Sequence, residues 1–296
     1  MVGRRSRAPR SVTIPRSCLP PAKTARAGSV VPMIGIVHPG DMGAAVAALL
    51  PDVAWASAGR SEDTRRRAAA LTDLGEIARL KEECEVVLSV CPPHAAVDTA
   101  REFQDYQGLY ADLNAVSPDT TERIAGLVPR FADGGIVGPP PRKPGTTRLY
   151  LAGEEAPAVA KLFAGTALEA QVIGPRAGDA SALKMVYAAW TKGTTAMLLA
   201  VRAAARSLGV EGELVREWER SQPELPARSE QSARLGVERG WRWSYELDEI
   251  GRTFAAAGLP DGFGHAAAEV YGRLPKDAEP DLETVLELLA RRSTSA

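Results

Sequence analysis

With 296 residues, 45% of them hydrophobic and 25% charged, the chain is long enough for two packed cores and has an ordinary globular composition. A formal charge of −1, three cysteines (Cys18, Cys84, Cys91) without zinc spacing or disulfide density, and no run near the roughly 18 apolar residues of a membrane span argue against a disulfide scaffold and a membrane protein. A cytoplasmic protein of a reducing compartment is expected.

Seven of the 36 basic residues fall within the first 32 positions, where there is no acidic residue and little large apolar surface. Such a segment cannot bury enough area to fold, so residues 1–32 are read as a disordered basic extension; a targeting peptide, or a functional start at Met33, is the alternative. The remainder of the chain is net acidic, which argues against a general nucleic-acid binder.

From Met33 onward strands and helices alternate. The apolar run Ile34 to Val37 leads through His38-Pro39-Gly40-Asp41-Met42-Gly43 into the small-residue stretch Ala44 to Leu50, a strand turning into a helix. A helix that starts this way offers free backbone N–H groups and its positive dipole end to a pyrophosphate. Gly40 falls at the close approach and Gly43 at the helix–strand contact, while His38 stands where the G-x-G-x-x-G pattern has its first glycine. An ordinary strand-turn-helix remains the alternative.

Further strands are predicted at Val53 to Ser57, Val86 to Val90, Leu109 to Leu113 and Gly135 to Val137, then at Arg148 to Ala152 and Ala170 to Ile173 around a helix near Ala156 to Phe163. This alternation predicts an α/β Rossmann domain with a mostly parallel sheet. After Gly174 the strand signal stops. A long helix over Ala180 to Ser207, closed by Gly209, is followed by helices near Glu211 to Ser221, Ala227 to Val237, Leu247 to Ala257, His265 to Leu274 and Leu282 to Ala290. The expected organisation is a dinucleotide-binding domain at 33–176 and an all-helical C-terminal domain for substrate and dimerisation at 177–296.

Ligands of open α/β sheets sit at the carboxyl ends of the strands. The second strand ends without the acidic residue that would hold a ribose 2′-hydroxyl; Arg60, Ser61 and Arg65 follow, which suits a 2′-phosphate and favours NADP over NAD. Equally, Ser61 caps a helix and Arg65 lies on a solvated face. After the third strand Cys91 precedes Pro92 and Pro93, which fix a turn that is either a rigid wall for the nicotinamide ribose, with Cys91 and Pro92 as cofactor contacts, or a plain strand terminator; Asn114 and Ser117 after the fourth offer substrate or cofactor contacts, or else cap the next turn. Lys184 lies in the first turns of a small-residue helix; on its buried side desolvation lowers the pKa toward neutrality and gives a proton donor and acceptor, whereas a snorkelling lysine does neither. With only His38, His94 and His265, and no two at ligand spacing on one element, neither a metal cluster nor a histidine triad is expected.

These residues together resemble the β-hydroxyacid dehydrogenase superfamily, which includes 6-phosphogluconate and 3-hydroxyisobutyrate dehydrogenases. Within it, HPGDMG and Gly178 ahead of Lys184-Met185-Val186 are similar to the branch of NAD-binding phosphogluconate-dehydrogenase-like proteins. Gly40, Met42 and Gly43 match the family's G-x-G-x-M-G; Asp112, Ser117 and Pro118 match its substrate strand, with Asn114-Ala115 in place of Ser-Thr. Its substrate loop falls at Gly138, its catalytic lysine at Lys184 and its helix asparagine at Ala188, with Lys192 and Tyr187 as candidates to compensate. The resemblance implies an NADP-dependent oxidoreductase acting on a small hydroxyacid-like substrate, with Lys184 as general acid/base, assembled as a homodimer. NADPH-dependent imine reduction and a catalytically silent NADP-binding protein are the alternatives.

Overall fold

Along each strand of the first half, successive side chains fall on opposite faces of the pleat and enter different cores. The computed structural model describes residues 33–290; the extension expected at 1–32 lies outside them. The chain runs through β1 (Ile34–Val37), α1 (Asp41–Ala47), β2 (Val53–Trp55), α2 (Glu62–Arg67), β3 (Thr72–Asp73), α3 (Ile77–Glu83), β4 (Val86–Ser89), a 3-10 turn (Pro93–Ala95) and α4 (Ala96–Arg101). It continues through β5 (Leu109–Asp112), α5 (Pro118–Ala125), β6 (Phe131–Val137), β7 (Thr147–Ala152), α6 (Ala156–Leu162) and β8 (Leu168–Gly174). Ile34, Ile36 and Leu88 pack with Leu149 and Val159 on one face, while Val37, Val87 and Tyr110 pack with Leu80 and Phe103 on the other.

The described residues form one eight-stranded sheet in the order β3-β2-β1-β4-β5-β6-β7-β8, parallel except where β6 meets β7. The first six strands follow the doubly wound order, which reverses between β1 and β4 and opens a crevice beyond their carboxyl ends. From Asp179 the described chain is helical: α7 (Asp179–Ala188), a π-helical turn (Ala189–Gly193), α8 (Thr194–Ser207), α9 (Glu211–Ser221), α10 (Leu225–Ala256), α11 (Gly262–Gly272) and α12 (Leu282–Ala290). Met185, Leu199, Val237, Leu247, Tyr271 and Leu286 build their shared core. Among the described residues no helix is long and apolar enough to cross a membrane.

Four elements differ from the sequence expectation. β3, a two-residue strand, was not expected, and β6 begins at Phe131 rather than Gly135 because Asp133-Gly134-Gly135 breaks the apolar pattern while still pairing with both neighbours. The helix expected over Ala180 to Ser207 is interrupted by the π turn, where Thr194 Oγ1 donates to the Trp190 carbonyl at 2.5 Å and Thr195 Oγ1 to that of Thr191 at 2.8 Å. The helices expected near Ala227 to Val237 and Leu247 to Ala257 are one 32-residue helix, α10. Gly240 weakens its propensity, but a Cβ there would lie 2.7 Å from Tyr271 Cδ1, so packing against α11 outweighs the backbone cost.

Candidate active site at the strand ends

The crevice starts at His38, which adopts φ 60°, the left-handed conformation that glycine takes without strain. Its carbonyl accepts from Gly40 N at 2.7 Å and lies 2.9 Å from where a Gly43 Cβ would be, so α1 is seated directly on β1. Burial, then the nearby Arg60, pushes the His38 imidazole down to about 4, which leaves it neutral at pH 7. Pro39 is buried beside it, Met42 packs on the core beneath, and exposed Asp41 pairs with Arg142 of the β6–β7 loop at 2.5 Å.

After β2 the three phosphate candidates separate. Ser61 caps α2, accepting from Thr64 N at 3.3 Å, and Arg65 Nη2 donates to the Ser57 carbonyl at 2.8 Å, the local roles allowed for each. Arg60 is different. It forms no ion pair among the described residues, its Nε is buried without a hydrogen-bond partner, and burial holds the guanidinium below its ordinary value against the opposing fields of Glu102 and Cys91.

At the ends of β4 and β5, Asn114 is buried and its amide is engaged within the protein: Oδ1 accepts from Cys91 N at 2.5 Å and Nδ2 donates to Ser89 Oγ at 3.0 Å. Burial pushes the Cys91 thiol up to about 12, so this wall residue is not a thiolate, and Pro92 beside it is exposed. Ser117, fully buried, caps α5 through Thr120 N at 3.3 Å, and its own N–H donates to Glu249 Oε2 of α10 at 2.7 Å. Gly138, at φ 124°, opens the β6–β7 turn where a Cβ would strike the Thr146 carbonyl.

Asp133 of β6 seats α7 against the sheet. Its carboxylate accepts from Gly178 N at 2.8 Å, Ala180 N at 2.9 Å, Ser181 N at 3.1 Å and Ser181 Oγ at 2.6 Å, satisfying N–H groups that a helix start leaves open. Beside it, Gly135 has no room for a Cβ, which would lie 2.8 Å from the Ala180 carbonyl and from Lys184 Cβ. Lys184 is thus held against β6, and its side chain turns toward α10. There Lys184 Nζ is 3.5 Å from Glu246 Oε1, and Lys192 is ion-paired with Oε2 of the same carboxylate.

The segment 205–274 matches the family model described as a domain of unknown function, DUF1932. An uncharacterized 28.5 kDa protein of Methanothermus fervidus, from the 7S RNA 5′ region, is 33% identical over 162 residues, covering 53% of this chain and 63% of its own length, so the match spans less than two thirds of that relative. Among solved structures, a conserved hypothetical protein of Sinorhizobium meliloti superposes with TM-score 0.65 at 23% identity, over 89% of this chain and 97% of its own. A protein of unknown function described as similar to 3-hydroxyacid dehydrogenases gives 0.64 at 24% identity, over 88% and 100%. Mycobacterium tuberculosis 3-hydroxyisobutyrate dehydrogenase with L-serine gives 0.61 at 17% identity, over 88% and 99%. The protein has the 3-hydroxyacid dehydrogenase fold. The resemblance read from the sequence is borne out at that level.

On this 3-hydroxyacid dehydrogenase fold, Lys184 and Lys192 come together as their spacing suggested. Eight residues of α-helix overshoot two turns by about 80°, and the wider π turn between them rotates less per residue, which brings Lys192 back beneath Lys184. Tyr187 does not join them: it is 45% exposed, and its hydroxyl has no hydrogen bond among the described residues. Ala188 is buried in the helical core. Glu246 and Glu249 contact candidate residues and Asp133 seats α7, and none of the three was singled out from the sequence. Glu246 fell in the stretch expected to separate two helices, so the i, i+3 spacing that puts it and Glu249 on one face of α10 was hidden. The contact of Tyr245 with His94, with ring centroids 4.2 Å apart and planes tilted by 44°, ties that face of α10 to the β4 turn.

Proposed function

We propose that the protein is an NADP-dependent oxidoreductase that interconverts a hydroxyl-bearing carbon and a carbonyl, with Lys184 as the general acid/base. The observation that carries this reading is a largely buried lysine, seated on β6 by Gly135 and Asp133 and paired with a buried glutamate of α10. The residues at the crevice fit a nicotinamide dinucleotide: the tight His38–Gly43 turn for the pyrophosphate, and at Arg60 a guanidinium with a buried Nε that lacks a partner, suited to a 2′-phosphate. When bound, the cofactor supplies or accepts the hydride. Lys184 gives a proton to the carbonyl oxygen in reduction and takes it from the hydroxyl in oxidation. Asn114 and Ser117 keep the β4 and β5 ends and α10 in register around the substrate, and Gly138 shapes the loop opposite.

In this reading residues 33–176 bind the cofactor, 177–296 complete the substrate cleft and pair two chains, and the protein is cytoplasmic. A groove of about 820 Å³ between α7–α8 and α10–α11, lined by exposed Val186, Trp190, Met197 and Phe263, supports a homodimer through the helical half. Sedimentation at micromolar concentration is expected to give twice the chain mass; a monomer contradicts the dimer.

Cofactor choice rests on Arg60. NADPH is expected to bind at least about tenfold more tightly than NADH, on the order of 1.4 kcal/mol, in a fluorescence titration, with Arg60→Ala erasing most of the difference. Equal affinities in the wild type overturn the NADP assignment, and an unchanged ratio in the variant moves the phosphate away from Arg60.

A further inference from the structure

Three ionisable side chains from three helical segments converge where α7, the π turn and α10 meet. Lys184 of α7, Lys192 of the π turn and Glu246 of α10 are 15%, 13% and 11% exposed, and the single carboxylate touches both amines. Glu246 Oε1 is buried with no hydrogen-bond partner, so Lys184 is drawn to it by charge without being locked to it. Two cations against one anion is an uneconomical way to join helices, because a buried ion cluster gains little over apolar side chains of the same volume. Around it stand the Trp243 ring, 5.6 Å from Lys192 Nζ, Arg242 on the same helix, and Tyr271 of α11, whose hydroxyl donates to the Lys192 carbonyl at 2.9 Å.

We propose that Glu246 is a positioning residue of this site: joined to both lysines, it lets Lys192 restore to Lys184 the proton that Lys184 gives to the substrate oxygen, so that the two amines work as one acid/base unit. The inference rests on the role of Lys184 proposed above. In reduction the Lys184 N–H bond breaks and an O–H bond forms on the substrate, whose carbon takes its hydride from the reduced nicotinamide. The proton that Lys192 gives to Glu246 Oε2 then passes on to Lys184 once the carboxyl group has turned its O–H from the Lys192 side to the Lys184 side. Lys184 ends as ammonium and Lys192 as neutral amine, and the cluster goes from two cations and one anion to one of each. Oxidation runs the same transfers backwards. The charges suit this path. Burial pushes Lys192 down to about 8, against the pull of Glu246 and with the repulsion of Lys184, so the amine that ends neutral is one whose neutral form the interior favours. Glu246 is opposed by burial, but the two ammonium groups more than offset that and hold it below the usual carboxylate range, an anion between transfers.

The test compares the full-length wild type with Glu246→Gln and Glu246→Asp, after circular dichroism and melting curves show each folded. Acylation of each lysine as a function of pH, read by peptide mass spectrometry, needs no substrate. Lys192 is expected to titrate near pH 8 in the wild type, at lower pH in Glu246→Gln, and closer to the wild type in Glu246→Asp. Carbonyl reduction with NADPH is expected to fall at least about tenfold in Glu246→Gln at pH 8, its alkaline limb moving to lower pH while the KM for NADPH is unchanged. A Lys192 titration that does not move in Glu246→Gln overturns the proposal whatever Lys184 does. Turnover that survives in Lys184→Ala overturns instead the reading on which it rests, whatever the Lys192 titration does in Glu246→Gln.

Discussion

Asp112 ends β5 in full burial, with Oδ1 accepting from Asn114 N at 2.8 Å and Oδ2 lacking a partner. Burial, reinforced by Asp133 and only partly opposed by the bonds from Asn114, pushes this carboxyl up to about 7 from 3.8. The protonated form is therefore favoured in the folded state. Its contribution to stability is fully present below about pH 3.8 and is lost as pH rises through about 7. Asp112→Asn keeps the oxygen that Asn114 bonds and removes the titration. Denaturant melts are expected to show the variant gaining on the wild type between pH 4 and pH 8, by about 4 kcal/mol at the upper end. A difference that stays flat across this range contradicts the assignment. Arg60 and Ser61 teach a different lesson at this scale. Neighbouring residues carried the same phosphate expectation, and the cap at Ser61 followed from the general preference of serine for that position, but the unpaired state of Arg60 depends on which carboxylates the fold leaves out of reach.

Between elements, the decisive contact is α7 on β6. The glycine run at Gly134-Gly135 hid the start of this strand from an apolar-pattern reading, yet it is what brings Lys184 to its place. Gly135→Ala is expected to push α7 off the sheet, because the added carbon meets backbone at Ala180, and to cost roughly 1–3 kcal/mol in a denaturant melt. Turnover is expected to fall with it, since the lysine moves; a variant with unchanged stability and activity contradicts the seating argument. Elements bounded by clear turn chemistry were legible from the sequence: α9 and α12 span the predicted residues, and Gly209 at φ 73° ends α8 as its position suggested. The unbroken α10 was not legible. Its glycines and its charged and aromatic stretch read locally as a break, and tertiary packing, Gly240 against Tyr271 and Gly236 against Leu274, makes continuity favourable. With that helix went Glu246, so the site was legible in its lysines and cofactor turn but not in the carboxylate that joins them.

For the whole molecule, the mostly parallel sheet and the switch from strands to helices followed from the alternation of apolar runs, since a parallel sheet needs helical crossovers and the links between β1 and β6 supply them; the strand order, with the unexpected β3 at its edge, did not. What the alternation does not encode is how α10 lies across the strand ends, with Tyr245 on His94, Glu246 on the two lysines and Glu249 on Ser117 and Thr120. These contacts hold α10 beside Lys184, the residue on which the proposed chemistry depends. The most direct measurement is NADPH binding and turnover in Lys184→Ala and Lys184→Arg, using whichever member of a carbonyl, hydroxyacid and imine panel the wild type consumes. NADPH affinity is expected within about twofold of the wild type, because the proposed cofactor contacts at His38 to Gly43 and Arg60 are untouched, while turnover falls by roughly 10² to 10⁴ in Lys184→Ala and almost as far in Lys184→Arg, whose guanidinium keeps its proton. Turnover within about threefold of the wild type in both variants would show that Lys184 is not the acid/base, and would contradict the mechanism.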